Sequence, residues 1–386
     1  MIQRLFKPPH HSFFLFGPRG TGKSTLLKST LKGDTVLTLD LLDPAQEDLY
    51  ARSPQTLKEK WAALKKKPAW ILIDEVQKVP RLLNVVHQMI EDHGVLFALT
   101  GSSPRKLKRG AANLLAGRAF VYSLFPLTSV EMANRFELNE ALTWGTLPKI
   151  LHLSSNEDKK EFLRAYALIY LKEEVVAEQL VRNLTPFRHF LEVAAQCNGQ
   201  VLNYSKIAAD VGADVKTVQS YFRILEDTLV GISLPAFHLS VRKRQRTHPK
   251  FYFFDTGVKR ALEHTLDQTL YPKTFSYGFA FEHFVIIELH RLADYRRCDW
   301  SFSYFQTTDG GEIDLVVDRP GKPRLLIEIK STDRIEERDV TPLNRFKKDI
   351  PQSEAYCLSM DPTPKKIGGT LCLPWNLALQ NDSPFF

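Results

Sequence analysis

The sequence predicts an α/β chain whose N-terminal part is a doubly wound parallel sheet, and three observations predict it. Four short apolar runs, Phe13–Phe16, Val36–Asp40, Trp70–Glu75 and Val95–Thr100, are separated by stretches of helical spacing. That alternation builds parallel strands with helices on both faces. The first run stops at Gly17, and Gly17, Gly20, Gly22, Lys23 and Ser24 then spell G-x-x-x-x-G-K-S ahead of a helical stretch. The third run stays apolar until it delivers Asp74 and Glu75 at its end.

Strand, glycine loop and helix in that order are the context of a P-loop. Gly17, Gly20 and Gly22 let backbone N–H groups, Thr21's among them, converge on a polyphosphate, and the helix N-terminus adds partial positive charge. Lys23 is expected to reach the β- and γ-phosphates of ATP, and Ser24 or Thr25 to hold Mg²⁺. Asp74 is the expected Walker B partner of that ion, and Glu75 the residue that polarises the attacking water. The fourth strand runs into Gly101-Ser102-Ser103, where a polar residue such as Ser102 can sense the γ-phosphate or orient water. Between Gly101 and Val130 there is no acidic residue, while five basic ones fall there, Arg118 last among them. Arg118 stands before a fifth apolar strand, Ala119–Leu124. In AAA-type ATPases that position carries an arginine that reaches a neighbouring subunit's nucleotide; a surface arginine, or one serving its own subunit, is the alternative.

Length and composition bound the rest. At 386 residues the chain is too long for one ordinary core. A 44% hydrophobic share with 25% charged residues is that of a globular protein. No apolar run approaches the roughly 18 residues of a membrane span, and Phe13–Phe16 is too short for a signal peptide core. Cys197, Cys298, Cys357 and Cys372 are too scattered for a zinc site or a disulfide framework, so reduced thiols and a cytoplasmic location are expected. A net charge of +8 favours a polyanionic partner.

Four domains are expected: an ATPase core over 1–130, a helical lid over 131–183, a winged helix-turn-helix over 184–255, and a last α/β domain over 256–386. The lid rests on the helical spacing of Phe162, Ala165, Tyr166, Ile169 and Tyr170 within 158–180. Asn203–Gly212 and Asp214–Glu226 read as two helices joined by a glycine turn, with Lys216, Thr217, Gln219 and Ser220 toward a DNA groove. Such modules also serve as protein-docking or spacer domains. Arg242–Arg246, with His248 and Lys250 beyond, is the densest basic run; it suits phosphate contact or a solvated loop.

In the last part, Glu312–Val317 and Arg324–Lys330 read as strands joined by a tight turn at Arg319–Lys322. Alternation puts Glu328 and Lys330 on one face, beside Asp314. Asp, then fourteen positions on Glu-x-Lys, is the metal-nuclease pattern PD-(D/E)xK. Glu282, on the apolar helix Gly278–Leu289, is the third expected metal ligand, and Lys330 would position or activate water.

The segments "GPRGTGKSTLL", "LIDEVQKVPRLL", "LTGSS", "LLAGR" with "FPLTSVE", and then "FYFFDTGV", "FEHFVIIEL", "GEIDLVV" and "IEIKS" together resemble a large family of prokaryotic AAA-type ATPases. The resemblance implies a C-terminal domain of unknown function with a restriction-endonuclease-like fold. One departure is Gly20, where the family's loop is expected to carry glutamine. Three functional classes follow: an ATPase with DNA or protein binding as output, an ATP-gated Mg²⁺-dependent DNA endonuclease, or a non-catalytic regulator that docks through its last domain. A homo-oligomer or partner protein fits the first, and no membrane is implied.

Overall fold

In the computed structural model, which describes residues 2–31, 36–103, 115, 117–170, 184–238, 248–307, 310–380 and 382–386, Phe13–Phe16 forms strand β1 with every side chain buried. Helix α1 (Lys23–Thr30) follows, then β2 (Val36–Asp40), α2 (Pro44–Arg52), α3 (Thr56–Ala63), β3 (Trp70–Asp74), α4 (Leu82–His93), β4 (Leu96–Gly101) and β5 (Phe120–Ser123). The five strands pair in the order β2-β3-β4-β1-β5, all parallel. Their fully buried Phe, Leu and Ile side chains form one core with α4, whose buried Leu82, Leu83, Val85, Val86 and Met89 recur at helical spacing. The expected doubly wound sheet is present. The helix expected over 110–116 lies outside the described residues, apart from Leu115.

The protein divides into two compact units, one built on Met1–Pro126 with Ile224–Val230, the other on Leu127–Val175, Val181–Arg223 and Gly231–Phe386. Residues expected to form a lid on the ATPase core therefore fold with the second unit. There, α5 (Ser129–Met132) opens on a capping box. Thr128 accepts from the Glu131 backbone N–H at 3.2 Å, and Glu131 reaches back to the Thr128 N–H at 2.9 Å. Helices α6 (Leu138–Trp144) and α7 (Asn156–Ala165) come next, the latter passing into a π-helical stretch, Tyr166–Tyr170, rather than one continuous helix.

Helices α8 (Leu184–Gln196), α9 (Tyr204–Val211) and α10 (Val215–Asp227) precede an antiparallel pair, β6 (Gly231–Leu234) and β7 (Lys250–Phe253). Asn203 caps α9 by accepting from Lys206 N–H at 3.0 Å, and Gly212 closes it in the left-handed region at φ 69°. Phe190 packs edge-on to Phe222, and Phe222 to Phe251, which ties α8 and α10 to the hairpin. Arg242–Arg246 lies outside the described residues.

Helix α11 (Thr256–Leu262) is capped by Asp255, and α12 (Phe275–Tyr295) by Thr274. A six-stranded sheet completes the unit: β8 (Ser301–Gln306), β9 (Glu312–Asp318), β10 (Arg324–Lys330), then α13 (Glu337–Asp349), β11 (Ser353–Ser359), β12 (Lys365–Ile367), β13 (Thr370–Pro374) and the short α14 (Trp375–Ala378). Its order is β12-β13-β11-β10-β9-β8. β9 and β10 pair antiparallel through the expected turn, Ile327 opposite Leu315, so Asp314 falls opposite Glu328. Cys357 and Cys372, far apart in sequence, are register partners on β11 and β13 and carry free thiols.

One buried ion pair holds α12. Glu288, fully buried, accepts from the Ser129 N–H at 2.7 Å and hydroxyl at 2.8 Å, and from Arg291 at 3.0 Å. Arg291 also donates to the carbonyls of Leu127 and Phe254. Removing one partner of such a pair leaves the other charge buried alone. Arg291→Met is therefore expected to destabilise the fold by roughly 3–5 kcal/mol. Urea unfolding at neutral pH measures it, and a midpoint unchanged from wild type would refute the assignment.

Candidate functional site

The first candidate site stands at the C-terminal ends of β1, β3 and β4. Gly17 has no room for a side chain: a Cβ there would lie 2.1 Å from the Leu124 carbonyl oxygen. β1 and β5 run that close because Leu124 N–H donates to the Phe16 carbonyl at 2.7 Å. Gly22, at φ 92°, turns the chain into α1 in a conformation only glycine adopts freely. Lys23 is buried, its ammonium donating to the carbonyls of Gly17 at 2.6 Å and Pro18 at 3.2 Å. Ser24 is half-buried and Thr25 exposed, so Ser24 is the better placed hydroxyl of the two.

Asp74 is buried, and the Thr100 hydroxyl donates to its Oδ1. The same hydroxyl oxygen accepts from the Glu75 N–H at 3.0 Å. Glu75 sits at φ 58°, a left-handed conformation that costs a non-glycine residue on the order of 1 kcal/mol and that the Thr100 bond holds in place. Gln77 donates through Nε2 to Glu75 and, at 3.2 Å, to the Ser102 hydroxyl. Its own Oε1 is buried without a partner among the described residues. Thr100 thus stands between the two acidic residues, a position the sequence reading gave to Ser102. Its signal was the last polar residue of an apolar strand beside the acids.

Arg4 was also missed. It donates to the Thr21 carbonyl at 2.9 Å and the Phe125 carbonyl at 2.6 Å, tying the glycine loop to the end of β5. Arg118 lies at the other end of the sheet. It precedes the first residue of β5, whose N–H donates to Ser12 ahead of β1, and its side chain pairs with Glu91 on α4. It therefore does not approach its own P-loop.

The second candidate site is on β9, β10, α12 and β7. Asp314, buried, accepts from Ile329 N–H at 2.7 Å; Lys330 donates to Glu328 Oε1 at 2.6 Å. Glu328 Oε2 is buried with no partner among the described residues. Glu282 accepts from the Tyr252 hydroxyl at 2.7 Å and lies 3.8 Å from the Lys250 ammonium, which also pairs with Glu312. Among the described residues no group of three or more His, Cys, Asp and Glu side chains is gathered as a metal cluster needs. Asp314 and Glu328 face each other across β9 and β10, and Glu282, which the Asp314 charge also reaches, has a cation and a hydroxyl from β7 as further partners. Asp314 and Glu328 fit a hard divalent ion, being oxygen donors with one buried oxygen unpaired. Lys250 itself is a buried strand residue.

Burial, then the charge of Asp314, pushes Glu328 up to about 8 against the pull of Lys330. Burial and Asp314 likewise push Glu282 up to about 7 against Lys250 and Tyr252. Asp314 is raised too, by burial first, with Lys330 and the Ile329 N–H opposing. Raised carboxyls bind protons in the folded chain that the unfolded chain has released. The metal-free protein is thus expected to lose stability as pH rises from about 4.5, the ordinary carboxyl value, to about 8. Melting temperatures across that range in a chelator should fall, and Glu328→Gln should flatten the fall; an equal slope in both proteins would count against it.

Thr217, expected to face a groove, instead donates its hydroxyl to Asp214 at 2.6 Å as part of the cap of α10. Lys216 and Ser220 are exposed.

Residues 9–133 match the family model described as an AAA domain, and residues 277–377 match a domain of unknown function, DUF4143. Over residues 9–133 the chain is similar to AAA-type P-loop ATPases. A second domain of unknown function, DUF8612, matches 135–269. An uncharacterized protein of Mycobacterium tuberculosis is 28% identical to it over 325 residues, covering 82% of this chain and 70% of that one. An uncharacterized protein of Haemophilus influenzae is 21% identical over 253 residues, 61% of each chain. Among solved structures, the Aeropyrum pernix ORC1 protein in complex with DNA aligns at 12% identity and a TM-score of 0.28, over 67% of this chain and 87% of that one. A score that low carries no argument. No helix among the described residues is long and apolar enough to cross a membrane.

Proposed function

We propose that this AAA-type protein is a Mg²⁺-dependent ATP hydrolase whose second unit handles nucleic acid. The observation that carries the ATPase reading is the run of contacts from Asp74 through Thr100 to Glu75 and Gln77, at the strand ends near Lys23. Lys23, now on two loop carbonyls, would transfer its ammonium to the β- and γ-phosphates. Ser24 and Asp74 would hold Mg²⁺, which when bound neutralises phosphate charge. Glu75 would accept a hydrogen bond from the attacking water, and Thr100, with Ser102 behind Gln77, would fix its direction. The test is phosphate release from ATP by the purified protein. A rate no greater than that of Lys23→Ala would overturn the reading.

In the second unit, α9, the Gly212 turn, α10 and the β6–β7 hairpin have the order of a winged helix-turn-helix. Lys216 and Ser220 would meet the DNA groove. The β9–β10 pair with Asp314, Glu328 and Lys330 favours a second reading, a metal-dependent nuclease of restriction-endonuclease type. The observation behind it is the unpaired, buried Glu328 Oε2 beside a second carboxylate. Asp314 and Glu328 would hold the ion, and Lys330 would orient a water or the departing oxygen. Mn²⁺ is expected to raise the melting temperature of wild type at pH 8 and to leave Asp314→Ala and Glu328→Ala unchanged. No shift in wild type would make the last domain a docking surface, and a shift without cleavage of branched, nicked or linear DNA would make it a retired nuclease.

A further inference from the structure

A cavity of about 300 Å³ lies beside α11 and the start of α12, away from the carboxylates of β9 and β10. Arg260 and Lys259 line it from α11, Phe279 lines it from α12, and Tyr271 lines it from the segment between them. Arg260 is only 4% exposed. Its Nη2 donates to the carbonyls of Thr265, at 2.6 Å, and Gln268, but Nε and Nη1 have no hydrogen-bond partner among the described residues. Buried donors are rarely left so, because losing water without gaining an acceptor is costly.

The charge around the cavity points the same way. Lys259 is bonded to Glu263 at 2.7 Å, so those two cancel. His283, whose Nε2 meets the Phe253 carbonyl, is kept neutral by burial, which pushes it down to about 3. The Arg260 charge is left over. Tyr271, 65% exposed, and Phe279, 53% exposed, add two large aromatic faces to the same lining. A flat ring at one end and an oxyanion at the other describe the complementary ligand. The volume holds one such unit and excludes a duplex.

We propose that this cavity binds a single nucleotide unit, its base stacked on Tyr271 and Phe279 and its phosphate on the Arg260 guanidinium. Base-to-aromatic stacking and guanidinium-to-phosphate hydrogen bonds are the two interactions by which single nucleotides are held without base pairing. The nucleotide is either free or part of a single strand, since both present the same base and phosphate. The site is separate from the P-loop, so it is tested in a Lys23→Ala protein, where the loop is disabled.

Thymidine 5′-monophosphate and an oligothymidylate are titrated separately into that protein by calorimetry. Saturable binding of at least one is expected, weakened about 10-fold or more by Tyr271→Ala and by Phe279→Ala, each an exposed residue whose loss leaves the fold intact. Arg260→Lys should weaken it by a similar factor, and thymidine without phosphate should bind about 10-fold more weakly than the monophosphate. Tighter binding of the oligomer assigns the site to a strand, and equal or tighter binding of the monophosphate assigns it to a free nucleotide. Absence of saturable binding by both, or binding that neither aromatic substitution alters, overturns the proposal.

Discussion

Lys23→Ala is expected to bind no ATP measurably, while Glu75→Gln binds it like wild type and turns it over about 10³-fold more slowly. The two differ because they act at different stages. Lys23 is the cation that the glycine loop places at the start of α1, where its ammonium can reach the polyphosphate. Glu75 carries its backbone N–H on Thr100 and its carboxylate on Gln77, a setting that aims the side chain without involving it in phosphate contact. Glutamine keeps the size and the hydrogen bond, and loses only the ability to draw a proton from water. Calorimetry gives binding and a coupled phosphate assay gives turnover. Equal ATP affinity in the two variants would refute the division of roles. A Thr100→Val protein should fall between them, since it loses the hydroxyl that bridges Asp74 and Glu75 and keeps both acids.

The parts of the fold legible in the sequence are those settled by local chemistry. The glycine loop was readable because Gly17 and Gly22 meet backbone constraints that no other residue satisfies, and the motif spans only a few residues. The pairing of Asp314 with Glu328 was readable because a tight turn and period-two alternation leave one register. Glu282 has partners distant in sequence. Lys250 and Tyr252 reach it only once β7 packs beside α12, and nothing in a window around Glu282 announces them. Lys250 carries two signals at once. It closes a dense basic run, where charge normally means solvent, yet it opens the buried strand Lys250–Phe253 and so must find acids, Glu312 and Glu282. Thr100 was overlooked because the two serines that follow Gly101 looked like equal candidates, and only the register of β4 beside β3 sets Thr100 against both acids.

Arg118→Ala is expected to slow ATP hydrolysis about 10³-fold while sparing nucleotide affinity, as loss of an arginine finger does. The direction of the strands separates Arg118 from its own nucleotide site. All five strands of the first unit are parallel, and the P-loop, Asp74 and Glu75 follow their C-terminal ends. Arg118 comes before the N-terminal end of β5, paired with Glu91 near the end of α4. A strand of four residues spans on the order of 13 Å, so Arg118 stands about a sheet's length from its own loop. A catalytic role for it thus requires another copy of the chain to supply the nucleotide. The exposed pair with Glu91 is worth little, roughly 1 kcal/mol or less, and can be given up for a phosphate. Two measurements follow. Activity per subunit should rise with protein concentration in the wild type. In a mixture, Arg118→Ala and Lys23→Ala proteins, each inactive alone, should recover part of the activity, because the Lys23→Ala copy lends its intact Arg118 to the intact P-loop of the other. A mixture as inactive as its components, together with a wild-type rate independent of dilution, would leave Arg118 a surface residue that holds α4.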